Sequence, residues 1–300
     1  MKRLFPLVSL AVVLMLVGCA GEPVAEEPTS GQGARFGLIS VAYGHDWQES
    51  GEGMLLSTAA QFVRYTALNQ DQVALLLALP LDPDRDLPGA DKCRLYDLSV
   101  DAIAADVNKD DEQGNVELLE AGDLQIQTQG QRLVLAPKHF PGLLPFISGV
   151  VYGEAQAGLV ELTGGVVATS AGGEAVGAFS AQLAAPLLPR LQRIADQTPA
   201  QAAMLARDRD LALRWQPQAT TTSDVTYVEL RYSRGKKDLA LRCRPQDDGQ
   251  FDLPQALLSD ISGKATLELA RLRRTFFSAA GLDQGELRVT VRDVAQLQAQ

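Results

Sequence analysis

The chain has 300 residues, 27 of them Lys or Arg and 37 Asp or Glu, for a formal net charge of −10. So acidic a surface excludes the phosphate binding of nucleic-acid proteins and attraction to anionic lipid, both of which need clustered cations. Hydrophobic residues make up 46% of the chain, enough for a packed core, over a length that suits one large or two ordinary domains.

Lys2 and Arg3 precede a mostly apolar run from Leu4 to Val17, which stops at Gly18-Cys19. The run is shorter than the roughly 20 residues a helix needs to cross about 30 Å of hydrocarbon, so it reads as a secretory signal and not as a spanning helix. Leu16-Val17-Gly18-Cys19 resembles the bacterial lipobox, with the small Gly18 suited to a cleavage pocket. The resemblance implies acylation of the Cys19 thiol, cleavage before it and, because Ala20 is not Asp, an outer-membrane address. Buried acyl CH₂ groups contribute about 0.8 kcal/mol each and one chain anchors only marginally, so the multiple acylation of lipoproteins would make the attachment stable. Cleavage removes two cations and no acid, taking the formal charge from −10 to −12.

From Ala20 to Arg35 the chain is rich in Gly, Pro, Glu, Ser and Ala, with little to bury, and is expected to stay unfolded as a tether. At about 5–6 Å × √n it would hold the remainder roughly 20 Å from the bilayer. Cys93 and Cys243 then remain, an even pair in an exported protein: either a disulfide closing a very long loop, or two buried thiols behaving as small hydrophobes.

"LLSTAAQFVRYTALNQDQVALLLALPL" suits a helix or buried strands equally. "LQIQTQGQRLVLAP" reads as a hairpin around Gly130, and "GLVELTGGVVATSAGGEAVGAFSAQL" as strands punctuated by glycine pairs. "PRLQRIADQTPAQAAMLA", with Pro189 and Pro199, reads as a linker or short helix and places a domain boundary near residue 199. Beyond it the alternation is clean. Leu211, Leu213 and Trp215 share a face, as do Val228, Leu230 and Tyr232, then Leu239, Leu241 and Cys243, then Leu287, Val289 and Val291, with turn residues between the runs. This last third is similar to an immunoglobulin or fibronectin type III sandwich, a likeness of pattern in which Trp215 would be the core tryptophan.

"DVNKDDEQGNVE" places Asp106, Asn108, Asp110 and Glu117 at positions 1, 3, 5 and 12 of an EF-hand calcium loop. Asp111 stands where that loop needs glycine, and the sequence that follows tends toward strand, not an exit helix; both departures favour an acidic solvated turn. The two histidines, His45 and His139, are too few for a three-histidine zinc site and read as loop residues. "ATSAG" around Ser170 departs from the nucleophile elbow in having Ala168 for the first glycine and a β-turn context. "RLRR" at 271–274 reads as a short solvated basic patch.

The expectation is a mainly β protein: signal peptide 1–18, lipid anchor and tether 19–35, a mostly β domain 36–199 and an immunoglobulin-like sandwich 200–300. Lipidation falls on Cys19, the candidate disulfide on Cys93 and Cys243, and no cofactor is implied apart from the weak calcium pattern. Anchor, tether and the scarcity of catalytic constellations together motivate a non-catalytic outer-membrane lipoprotein that binds a protein or glycan of the cell envelope or acts as a structural module, and the acidic balance argues for no nucleic acid. The alternative is an envelope hydrolase using His45 or His139.

Overall fold

The structure is a computed structural model and describes residues 33–46, 53–99, 114–128, 131–139, 147–157, 162, 164–199, 203–218 and 224–299. Cys19 and the lipobox, most of the tether, Asp106, Asn108, Asp110, Asp111 and Gly130 lie outside the described residues.

The chain is mainly β. In order it forms β1 (Ala34–Asp46), β2 (Gly53–Thr66), α1 (Gln70–Leu76), β3 (Cys93–Asp97), β4 (Asn115–Leu118), β5 (Leu124–Thr128), β6 (Gln131–Leu135), β7 (Lys138–His139), β8 (Ile147–Ala157), β9 (Gly165–Ser170) and β10 (Phe179–Ala184). Then follow β11 (Leu191–Ile194), β12 (Ala203–Leu205), β13 (Leu211–Trp215), β14 (Asp224–Arg234), β15 (Lys237–Cys243), β16 (Gln250–Leu253), a short 3₁₀ turn, β17 (Gly263–Phe277) and β18 (Gln284–Ala299).

Eleven strands build one sheet in the order β3-β15-β14-β17-β18-β1-β2-β4-β8-β7, with β12 parallel to the end of β18. Its centre joins the two ends of the described chain, since β1 runs parallel to β18 with Ile39 opposite Leu287 and Val41 opposite Val289. One face is covered by two smaller sheets, β10-β9-β5-β6 over one half and β11-β13-β16 over the other. Two apolar cores result. The first gathers Ile39, Val41, Phe62, Tyr152, Ile126, Val166 and Phe179; the second gathers Leu230, Leu241, Leu267, Leu213 and Trp215. On the opposite face, α1 and the segment after it pack over β2, β4, β14 and β17. Asn69 starts that helix by accepting from the Gln72 backbone N–H at 2.9 Å while the Gln72 side chain accepts from the Asn69 N–H, a reciprocal cap.

The period-two reading of the last third holds strand by strand: Leu211, Leu213 and Trp215 are buried with half-exposed residues between them, and Val228, Leu230, Tyr232, Leu239, Leu241 and Cys243 all enter the second core. In the expected turn after Ser233-Arg234, Gly235 and Lys236 form a two-residue hairpin loop, with φ of 63° at Gly235, where a type II′ turn needs glycine. The ambiguous stretch after residue 53 is both things in succession, strand β2 and then helix α1.

Three expectations need correction. The described residues between 189 and 206 are neither linker nor helix: Leu191 and Ile194 sit buried on β11, and β12 adds to the long sheet. The boundary near Pro199 does not separate two sheets, because the long sheet draws β1, β2, β3, β4, β7 and β8 from one side of it and β12, β14, β15, β17 and β18 from the other. "RLRR" is no solvated patch. Arg271 is 1% exposed, and Arg271, Arg273 and Arg274 are all paired with aspartates.

The first of those arginines explains how two cores share one sheet. Along β18, alternate residues Leu287, Val289 and Val291 enter the first core and Ala295 and Leu297 the second; between them, in the same phase, stands buried Asp293. Along β17 the same phase runs Ala265, Leu267 and Leu269 into the second core, then Arg271 and Arg273, then Phe277 into the first. The charges form a seam under the connector between β10 and β11. Pro186 and Pro189 in that connector have no N–H to donate, and its free groups are taken by the seam: Arg273 donates to the Ala184 carbonyl at 3.0 Å, Arg271 to the Leu187 carbonyl at 3.0 Å, and Asp293 accepts from the Leu191 N–H at 2.8 Å.

Candidate functional site

A polar recess opens where the seam reaches the surface, around the loop between β15 and β16. β15 ends at Cys243, whose sulfur is bonded to that of Cys93 directly opposite on edge strand β3. The bond and the hydrogen bonds beside it hold two segments 150 positions apart in register: the Arg244 N–H donates to the Lys92 carbonyl at 3.1 Å and the Asp91 N–H to the Arg244 carbonyl at 2.8 Å. Asp91 also accepts from the Gln246 side-chain amide at 2.8 Å. The loop then turns at Asp248-Gly249, where Asp248 accepts from the Gln250 N–H at 3.0 Å and glycine takes a φ of 90°.

Beneath this loop lies Asp247. Its carboxylate accepts from Arg271 Nε at 2.6 Å and Nη2 at 2.9 Å and from Trp215 Nε1 at 2.7 Å, with both charged side chains 1% exposed. Arg271 Nη2 also donates to the Gln216 carbonyl at 2.6 Å. Beside it, Asp224 at the start of β14 pairs with Arg273, with Nη2 at 2.7 Å from Oδ2. Geometry of this kind, bidentate and with remaining donors satisfied, is what a buried ion pair needs to offset desolvation.

Two adjoining cavities open off this base. One, of about 320 Å³, is lined among others by Asp224, Thr226, Arg244, Gln246, Asp247 and Asp248. The other, of about 360 Å³, is lined by Asp91, Gln246, Asp248, Gln250, Phe251 and Asp252. They share Gln246 and Asp248 in their linings, so the two lie side by side across that pair. Asp252 on its far wall is tied to Arg214 at 3.2 Å.

The opposite face of the long sheet carries a second set of charges, which is structural. Buried Glu229 accepts from Arg242 Nε at 2.5 Å and pairs with Arg231, and Tyr227 donates to Glu268 at 2.8 Å. Burial and then the charge of Glu268 push the Tyr227 phenol well above its usual value. Arg288, 3% exposed, holds Glu286, Asp82 and the carbonyls of Pro80 and Leu81, clamping the segment after α1 onto β18. Burial opposes ionisation of Asp82, but the Arg288 charge and the N–H groups of Asp84 and Arg85 outweigh it and hold the carboxyl below its usual range. At the far end of β3 from the disulfide, hydrogen bonds from Lys237 and Ser99 hold the half-buried Asp97 carboxyl down at about 2.

Of the residues singled out in the sequence, Cys93 and Cys243 lie beside the recess, while Trp215 and Arg271 hold its base from below. Glu117 sits on β4 opposite Arg64 of β2 and pairs with it; with that carboxylate committed to a strand ladder, millimolar calcium, compared with chelator, is expected to leave the melting temperature unmoved, and a rise of several degrees would restore the calcium-loop reading. His45 and His139, read as loop residues, lie on strands β1 and β7, and His139 is exposed. Ser170 is buried at the end of β9, donating to the Ala121 carbonyl and accepting from the Gly172 N–H at 2.9 Å, the role of a turn brace.

Of the residues that form the recess, Asp247 and Asp248 were read in the sequence only as turn residues between strands, and Asp224, Thr226 and Arg244 went unremarked. One signal was present. Arg271 and Asp293 occupy the apolar phase of strands that otherwise alternate cleanly, and a charge in that phase demands a buried partner. No protein-family model matches this sequence, and no curated protein matches it.

Proposed function

We propose that this chain is a non-catalytic lipoprotein of the bacterial outer membrane, anchored through Cys19 and presenting the recess around residues 244–252 as its binding site for a component of the cell envelope. The anchor rests on the lipobox-like Leu16–Cys19 and its flanks. The Cys93–Cys243 bond supports export, because disulfides persist in oxidising compartments. The recess carries the binding half of the reading: it is preformed, with its floor fixed by the fully buried Arg271–Asp247 pair and its rim by a disulfide, so little conformational entropy is lost on binding. On this reading the two cores act as two sandwich-like modules on a shared sheet, and the second, immunoglobulin-like in its buried Trp215 and its facing sheets, holds the site.

Intact-mass measurement on protein purified from its native host tests the anchor. The expected species starts at Cys19 and carries the mass of its acyl chains, and Cys19→Ala should move the protein from the membrane to the soluble fraction. An unmodified start, or retention of residues 1–18, would overturn the proposal.

A further inference from the structure

The chemistry of the recess specifies the class of ligand. We propose that it binds a neutral saccharide, two sugar units of a linear chain spanning the Gln246–Asp248 saddle; this deepens the binding role assigned to the same site above.

The first argument is charge balance. Asp224 and Asp247 look into the inner cavity, but each is neutralised from behind, by Arg273 and Arg271. What remains at the surface is mixed. Arg244 presents a guanidinium that has no ion-pair or hydrogen-bond partner among the described residues, while Asp248 and Asp91 present carboxylates and Gln246 and Gln250 amides. An anion in this recess would face the carboxylates, and a cation would face Arg244. A polyhydroxyl ligand meets neither penalty, since each of its hydroxyls both donates and accepts.

The second argument comes from Thr226. Its residue is 5% exposed, it lines the inner cavity, and its Oγ1 is buried with no hydrogen-bond partner. A buried hydroxyl left unpaired is destabilising. The cost persists where a group serves something other than the fold; Oγ1 is closed to solvent as it stands, so the side chain must turn toward the inner cavity for a ligand hydroxyl to supply the missing partner. Thr226 owes its place to register: it lies opposite Arg271 on the neighbouring strand, in phase with Val228 and Leu230, where the apolar pattern would put valine.

Shape and surface complete the fit. Volumes of about 320 and 360 Å³ each stand at the small end of ligand-sized sites. The outer cavity is walled by half-buried Phe251, which packs on the second core and offers an aromatic surface of the kind that meets the C–H face of a sugar ring.

The test titrates the full-length protein, in a detergent without sugar, with triacetylchitotriose and cellotriose by calorimetry, and separately with calcium and with spermidine. Saturable binding of at least one trisaccharide is expected. Thr226→Val, which removes the hydroxyl and keeps the shape, should weaken that binding about fivefold, and Arg244→Ala about tenfold, equivalent to the loss of one neutral and one charge-assisted hydrogen bond. Thr226→Val should at the same time match or exceed the wild type in melting temperature, which separates a ligand contact from a folding role. Trisaccharide affinity unchanged in both variants would overturn the proposal, as would no trisaccharide binding at millimolar concentration, or binding of calcium or spermidine alone. Any of those results obtained with protein shown by mass to be acylated at Cys19 would remove the saccharide and leave the lipoprotein reading standing.

Discussion

Asp247→Ala should destabilise the protein by about 3–5 kcal/mol, the cost of leaving one partner of a buried ion pair uncompensated. Arg271 is 1% exposed and would keep its charge among backbone carbonyls and apolar neighbours, while Trp215 Nε1 would lose its acceptor in the same step. The Leu187 and Gln216 carbonyls, which Arg271 now holds, would remain as its hydrogen-bond acceptors, and neither carries charge to balance the guanidinium. Urea titration followed by far-ultraviolet circular dichroism measures the loss. Arg271→Met, which takes away the buried charge itself, should cost less than Asp247→Ala, and the double substitution Asp247→Leu with Arg271→Met should fall well short of the sum of its singles, because the charge left stranded in either single is gone. A loss below about 1 kcal/mol for Asp247→Ala would show that the seam is solvated and that it does not fix the connector between the covering sheets.

The same seam marks where the sequence was legible and where it was not. Strand phase was readable wherever apolar residues alternate on one covered face, as in Leu211–Trp215 and Leu287–Val291, because side chains in a strand have a strict period of two. That period says which face is buried and nothing about which strand lies alongside. The parallel pairing of β1 with β18 closes across some 250 positions of chain, and no local pattern encodes it. So two cores looked like two domains, although the strands beneath them are continuous. The arginines of "RLRR" were read as solvated on residue type alone; their partners Asp224, Asp247 and Asp84 lie on three distant segments, and only the register of β14 on β17 and the course of the loops bring them together. The recess was hidden for the same reason. Its lining comes from residues 91, 224–226 and 244–252, each an unremarkable polar loop or strand end when read alone. Count and compartment left the cysteines as either a bonded pair or two buried thiols; the bond itself, and its consequence that it holds Asp91 against Gln246, required the fold.

Replacing both cysteines by alanine should cost about 4–5 kcal/mol in the loop-entropy account, since the bond closes a loop of 150 residues and the unfolded chain gains the freedom it now lacks. Local structure argues that little else would hold the edge. β3 is only five residues long, Arg94 and Leu95 on it are exposed, and only Cys93 among its residues packs against the second core. What remains is the ladder to β15, the Lys237–Asp97 pair at 2.7 Å, and the stacking of the Arg94 and Arg242 guanidinia over Tyr96, at 5.0 and 4.8 Å from the ring centre, stacking contacts worth about 0.5–1 kcal/mol each at exposed sites. The double variant should therefore show two changes that separate in experiment: a lower unfolding free energy by urea titration, and fast hydrogen exchange confined to β3 and the Asp91–Lys92 turn under conditions where the rest of the sheet stays protected. Because the second change frees Asp91 from Gln246, the outer cavity should lose its rim before the inner one, with Asp224, Asp247 and Thr226 still held on β14 and the seam. An unfolding free energy within about 1 kcal/mol of the parent would mean that the denatured chain is already compact enough for the cross-link to add little. Uniform protection across β3 would mean that backbone pairing alone secures the edge.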